Sequence, residues 1–211
     1  TLARDSFNGL RLWHRDLNKG GDNNPEVFDL PRLARDGSRP VASGQRLFAK
    51  QKDRLVALDA ATGDVAVDFT EMRSPRAFLF DGPRVIAADD SSVRAFDVTT
   101  GAELWRADSA EPQHVVADGR VVALIQGRIQ RGEKAVAVVL DAKTGETKWS
   151  RDDYPWLIET TRTVLAKGQL VFEVSTLNDH DSGNGIHVVS SATGEHRWSK
   201  LFPPGMNHAR Q

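Results

Sequence analysis

The chain has 211 residues, enough to bury a substantial core, and its 39% hydrophobic and 27% charged residues are ordinary for a globular protein. A formal net charge of -1 gives no electrostatic basis for binding nucleic acid or anionic lipid, and no apolar run approaches the ~20 residues of a membrane-spanning helix. The absence of cysteine excludes disulfides, thiol chemistry and Cys-ligated metals.

The chain opens on Ala3-Arg-Asp5-Ser-Phe-Asn8-Gly9-Leu-Arg-Leu-Trp13, which reads as a strand, a tight turn and a return strand ending in tryptophan. Starting inside such a unit, it reads as a segment of a longer protein. Residues 14–40 are the least regular: Lys19-Gly20-Gly21-Asp22-Asn23-Asn24-Pro25 signals a loop, and Pro31, Gly37 and Pro40 oppose a long helix. From Val41 the pattern is regular. Val41–Lys50, Arg54–Asp59 and Asp64–Phe69 read as strands of one sheet. Ala77–Phe80, Arg84–Ala88, Ser92–Asp97 and Ala102–Arg106 read as the next. His114–Ala117, Arg120–Gln126, Ala135–Asp141 and Glu146–Ser150 make a third, and Thr160–Ala166, Gln169–Thr176, Gly185–Val189 and Glu195–Lys200 a fourth. The continuous apolar runs Val121–Ile125 and Ala135–Leu140 lack strict alternation, so both faces of those strands are expected to be covered.

The opening unit recurs at 57–67, 95–105, 139–149 and 188–198. Its fullest form is Ala95-Phe-Asp97-Val-Thr-Thr100-Gly101-Ala-Glu-Leu-Trp105. The copy at 57–67 ends in Val67 in place of tryptophan, and the copy at 188–198 carries Ser190 in place of aspartate. The equivalent positions 5, 59, 97, 141 and 190 lie 54, 38, 44 and 49 residues apart, a period that belongs to propeller blades or helical arrays. Strand-like composition excludes the arrays. The polar turns at Gly44, Gly82, Gly119 and Gly168 precede the Asp-equivalent residue by 15, 15, 22 and 22 positions. The last two copies therefore carry extra residues, expected near Gly127–Glu133 and Leu177–Gly185, where polar composition suits hairpin loops.

The pattern Ala-x-Asp-x-x-Thr-Gly-x-x-x-Trp resembles the tryptophan-docking repeat of quinoprotein-like β-propellers, also called pyrroloquinoline quinone (PQQ)-like repeats. Residues 95–105 match it at every defined position, 3–13 all but Asn8, and 139–149 all but Val139. The resemblance covers nearly the whole chain. It implies an all-β fold: a β-propeller of four-stranded antiparallel blades, here about four full blades plus one hairpin, forming one segment over 1–211. It implies that Trp13, Trp105, Trp149 and Trp198 pack between adjacent blades, and Val67 marks a weaker contact. Family rings usually have seven or eight blades, so further residues or a second chain would close the ring. Many members are scaffolds or binding proteins, among them an outer-membrane-assembly lipoprotein and extracellular modules. The resemblance implies periplasmic or extracellular location. The repeat's name does not imply that the cofactor is bound.

The leading functional reading is a non-catalytic scaffold presenting loops to protein or small ligands, with no catalytic, cofactor-binding or metal residue assigned and no cofactor expected. One alternative is part of a PQQ-dependent dehydrogenase. The family's true alcohol dehydrogenases carry adjacent cysteines, a calcium site and a catalytic aspartate, and this chain has no cysteine. Another alternative is an extracytoplasmic sensor module of a larger protein. The repeated aspartates read as turn caps. Asp179, Asp181 and Asn184 offer closely spaced oxygen ligands for calcium, but the stretch lacks a complete calcium loop's glutamate and reads first as a solvated hairpin loop. Arg128, Arg131 and Lys134 form a small basic cluster on the other inserted loop. Trp156, in Tyr154-Pro155-Trp156, could stack on a ligand, though packing between blades is the first expectation. The histidines His14, His114, His180, His187, His196 and His208 show no zinc-site spacing; a propeller could still bring distant ones together.

Overall fold

The structure is a computed structural model and describes residues 2–4, 11–14, 41–51, 54–73, 75–127, 134–175 and 184–202. The described residues are strands and turns, apart from a 3-10 turn at Leu157–Glu159, and no helix among them is long and apolar enough to cross a membrane. The chain falls into two compact units, Thr1–Arg106 and Ala107–Gln211.

In the first unit, β1 (Leu2–Arg4) and β2 (Arg11–His14) pair as an antiparallel hairpin. β3 (Val41–Ser43), β4 (Arg46–Gln51), β5 (Arg54–Asp59) and β6 (Val65–Arg73) then form a four-stranded sheet in chain order. The run Val41–Lys50 is thus two strands: Gly44, at φ 58°, turns the chain tightly between them. The second sheet holds β7 (Ala77–Asp81), β8 (Arg84–Ala88), β9 (Ser92–Asp97) and β10 (Glu103–Asp108), again adjacent in chain order, with Ala107 and Asp108 at the end of β10 counted in the second unit. Phe48, Phe69, Met72, Val85 and Phe96 are buried in one core. Edge-to-face contacts join rings of the two sheets, Phe48 to Phe80 at 4.4 Å and Phe69 to Phe96 at 5.5 Å.

The second unit repeats the plan. One sheet holds β11 (Gln113–Ala117), β12 (Val121–Gln126), β13 (Val136–Asp141) and β14 (Thr147–Arg151). The other holds β15 (Thr160–Ala166), β16 (Gln169–Val174), β17 (Gly185–Ser190) and β18 (His196–Leu201). The apolar runs of β12 and β13 are buried on both faces, as their lack of alternation requires. The core gathers Val121, Ile125, Val139, Leu157, Phe172 and Val189. This is an all-β propeller segment: four four-stranded antiparallel blades and one hairpin.

Register repeats as well as topology. In four copies the last motif residue faces the first: Ala3 opposite Trp13, Ala57 opposite Val67, Val139 opposite Trp149 and Val188 opposite Trp198. Immediately after each of those pairs, toward the turn, the register shifts. Such a bulge re-aims the side chains beyond it.

Candidate functional site

The repeated turn is built identically in four copies. The backbone N–H of Gly63, Gly101, Gly145 and Gly194 donates to the carbonyl of residue 59, 97, 141 or 190 at 2.8–2.9 Å. Asp59 Oδ1 accepts from the N–H groups of Ala61 and Thr62, each at 2.9 Å. Asp97 Oδ1 accepts from Thr99 N at 2.9 Å, Thr100 N at 2.7 Å and Thr100 Oγ1 at 2.9 Å. Asp141 Oδ1 accepts from Lys143 N at 2.9 Å and Thr144 N at 3.2 Å. Ser190 Oγ takes the same place with one bond, from Thr193 N at 3.4 Å. The bonds favour the ionised carboxylate, so all three aspartates titrate below their ordinary value, chiefly through the N–H of Thr62, Thr100 and Lys143 respectively. These carboxylates hold turns.

At two of the turns the glycine meets the last motif residue of the preceding copy. A Cβ at Gly101 would lie 2.5 Å from Val67 Cγ1. A Cβ at Gly194 would lie 3.2 Å from two ring carbons of Trp149. Trp149 Nε1 also donates to Ser191 O at 2.9 Å, within that next turn. Val67 and Trp105 are both 7% exposed, whereas Trp198 is 47% exposed. In the first unit Arg46 reaches from one blade to the following turn, donating to Val98 O at 2.7 Å and Thr99 O at 3.1 Å.

A cluster of aromatic and imidazole side chains lies against the last blade. Tyr154, on the segment after β14, stacks on Trp156 at 5.1 Å, and Trp156 stacks on His187 of β17 at 4.0 Å with the rings 5° apart. The Tyr154 hydroxyl donates to Gly194 O, and Arg151 lies 5.3 Å over the tyrosine ring. The Trp156 indole N–H is buried without a hydrogen-bond partner among the described residues. On β18, Ser199 Oγ sits 2.7 Å from His187 Nδ1 and 2.7 Å from His196 Nε2. One hydroxyl proton serves two rings, so Ser199 donates to one nitrogen and accepts from the N–H of the other. Burial pushes the His187 pKa below its ordinary value, and the charge of His196 pushes the same way.

Residues 2–151, and in a second overlapping match 114–207, match the family described as outer membrane protein assembly factor BamB. The chain belongs to this family of PQQ-like-repeat β-propellers. No curated protein matches it in sequence. Among solved structures it is similar to Kuenenia stuttgartiensis hydrazine synthase (16% identity, 85% of this chain and 53% of that one, TM-score 0.59). It is also similar to the quinohemoprotein alcohol dehydrogenase of Comamonas testosteroni (15% identity, 81% and 36%, TM-score 0.57). BamB of Moraxella catarrhalis matches at 19% identity over 74% of this chain and 58% of that one, with a TM-score of 0.47. The chain thus spans 36–58% of the length of these structures, and the likeness is one of fold.

The family's repeat name raises the question of the quinone. A cleft of about 120 Å³ in the second unit is lined by Ala107, Asp108, Ser109, Leu124, Gln126, Val138, Leu140, Thr147 and Ser150. PQQ is a fused tricyclic quinone bearing three carboxylates. The cleft falls below the ~300–1,000 Å³ of ordinary ligand sites. Its lining offers an acid, Asp108, and no cation. These residues do not fit the group.

Asp179 and Asp181 of the calcium candidate lie outside the described residues; Asn184 is described, and its carbonyl accepts from Phe202 N at 2.7 Å. Arg128 and Arg131 also lie outside, while Lys134 pairs with Asp152 at 2.6 Å. His180 and His208 lie outside as well. Trp156 packs against the core of the second unit and on His187. The grouping of His187, His196 and Ser199 carries no zinc-site spacing in sequence because their proximity comes from pairing across β17–β18. The signal was there: a turn centred on Thr193-Gly194 places 187 opposite 199.

Proposed function

We propose that this segment belongs to a non-catalytic β-propeller scaffold whose blade loops hold a protein partner or small ligand, in the periplasm or outside the cell. The observation that supports this reading is that several recurring motif residues of the described copies are already engaged by the fold. Asp59, Asp97 and Asp141 cap turns, Gly101 and Gly194 receive a neighbour's side chain, and Trp149 closes a hydrogen bond onto the following turn. On this reading Trp13, Trp105 and Trp198 follow Trp149 as interblade docks, and 1–211 is one stretch of a seven- or eight-bladed ring that further blades or a second chain complete. A family described as an outer membrane protein assembly factor supports protein partners and an envelope location. The competing dehydrogenase reading is tested by assaying dye-linked alcohol oxidation by the full-length protein with PQQ and calcium added. The scaffold predicts no turnover above the protein-free control, and PQQ-dependent turnover overturns it.

A further inference from the structure

We propose that His187 and His196 form a two-imidazole site for a divalent ion of the copper, nickel and zinc class, centred near the position of Ser199 Oγ. Three observations converge on it. His187 Nδ1 and His196 Nε2 both point at one atom, each 2.7 Å from Ser199 Oγ. A ring nitrogen hydrogen-bonds along the same in-plane direction in which it ligates a metal, so the hydroxyl marks where two ligand axes meet. Zinc–nitrogen bonds are ~2.0–2.1 Å, so with the serine swung aside each ring closes in by roughly 0.6 Å on an ion at that point.

The second observation is that one ligand is held in place beforehand. His187 is 8% exposed, lies opposite Ser199 in the β17–β18 register and is stacked face to face on Trp156 at 4.0 Å. Trp156 in turn lies against Tyr154, whose hydroxyl is tied to Gly194 O. Orientation by an outer layer is what metal-binding imidazoles ordinarily require. The register shift between Val188 and Val189 brings His196, a near neighbour in sequence on β18, to the same serine.

The third observation is the donor set. Neutral imidazole nitrogen suits copper, nickel and zinc, whereas calcium and magnesium select oxygen. No third His, Cys, Asp or Glu joins the pair among the described residues. The two-nitrogen site therefore leaves coordination positions open to water or to a group from a bound partner, on a strand whose residues are exposed.

The test is a Cu2+ titration of the full chain, followed by calorimetry and by tryptophan fluorescence, which a copper ion one ring away from Trp156 quenches. One equivalent should bind saturably and Zn2+ should compete for it. His196→Gln, at an exposed position that leaves the fold intact, should weaken binding by roughly tenfold or more, since losing even an outer-layer partner of a metal ligand costs ~10–100-fold. Trp156→Phe should keep the binding heat and lose most of the quenching. His180→Gln should change neither. Wild-type binding by His196→Gln, or loss of binding in His180→Gln, overturns the proposal.

Discussion

Trp105 and Trp198 occupy the same place in the repeat, yet Trp105 is 7% exposed and Trp198 is 47% exposed. Truncating each to alanine separates motif position from burial. A tryptophan covers roughly 150–250 Å². At about 25 cal/mol per Å² that is ~4–6 kcal/mol for a fully buried ring. Unfolded chains already bury part of that surface, which lowers the figure by ~10–40%. Trp105→Ala is therefore expected to cost about 3–5 kcal/mol, the range of large core truncations. Trp198→Ala loses roughly half the area and leaves a gap that water fills, so about 3 kcal/mol is its ceiling. Urea unfolding followed by far-UV circular dichroism reads both variants without relying on the mutated fluorophores. A cost below about 1 kcal/mol for Trp105→Ala, the level of an ordinary surface change, would refute the reasoning. So would equal costs for the two.

Two further outcomes follow from the same geometry. Gly82 and Gly101 both sit at positive φ, 61° and 75°, but a Cβ meets nothing within 4 Å at Gly82 and Val67 Cγ1 at 2.5 Å at Gly101. Gly82→Ala should carry only the left-handed penalty of ~1–2 kcal/mol, while Gly101→Ala adds an overpacking cost of ~1–3 kcal/mol; equal melting temperatures would show that Val67 does not press on that turn. His187 has a folded pKa below its ordinary 6.5. Above that value both folded and unfolded chains hold it neutral, and as pH falls through it the unfolded chain takes up a proton that the folded chain resists, so stability is lost toward acid. Thermal melts at about pH 7.5 and about pH 5.5, on either side of the imidazole range, should show a smaller acid loss in His187→Phe than in wild type; an equal loss removes His187 from the account.

Much of this architecture is visible in the chain because its determinants are local. An Asx-type turn needs only a short polar acceptor, the next few N–H groups and a glycine, so Asp97-Val-Thr-Thr-Gly101 declares itself, and its copies place the blades. Loop lengths are equally local: the extra residues of the last two copies fall between β12 and β13 and between β16 and β17. The split of Val41–Lys50 was hidden because Ser43-Gly44-Gln45 is a brief polar break in an otherwise strand-like run. The 3-10 turn at Leu157–Glu159 and the Tyr154–Trp156–His187 stack were hidden for a different reason. They depend on which strand face a connecting segment lands on, and no periodicity records that. Burial of the docking residues was only half legible, since the motif ranks Val67 below tryptophan while the structure buries Val67 as deeply as Trp105.

We propose that the repeat builds a scaffold and that the cleft in the second unit does not hold the quinone. Calorimetric titration of the full-length protein with PQQ in the presence of calcium tests it upstream of any turnover. No saturable heat and no shift of the thermal melt are expected. One equivalent of PQQ bound, with the melt raised in step, would contradict it.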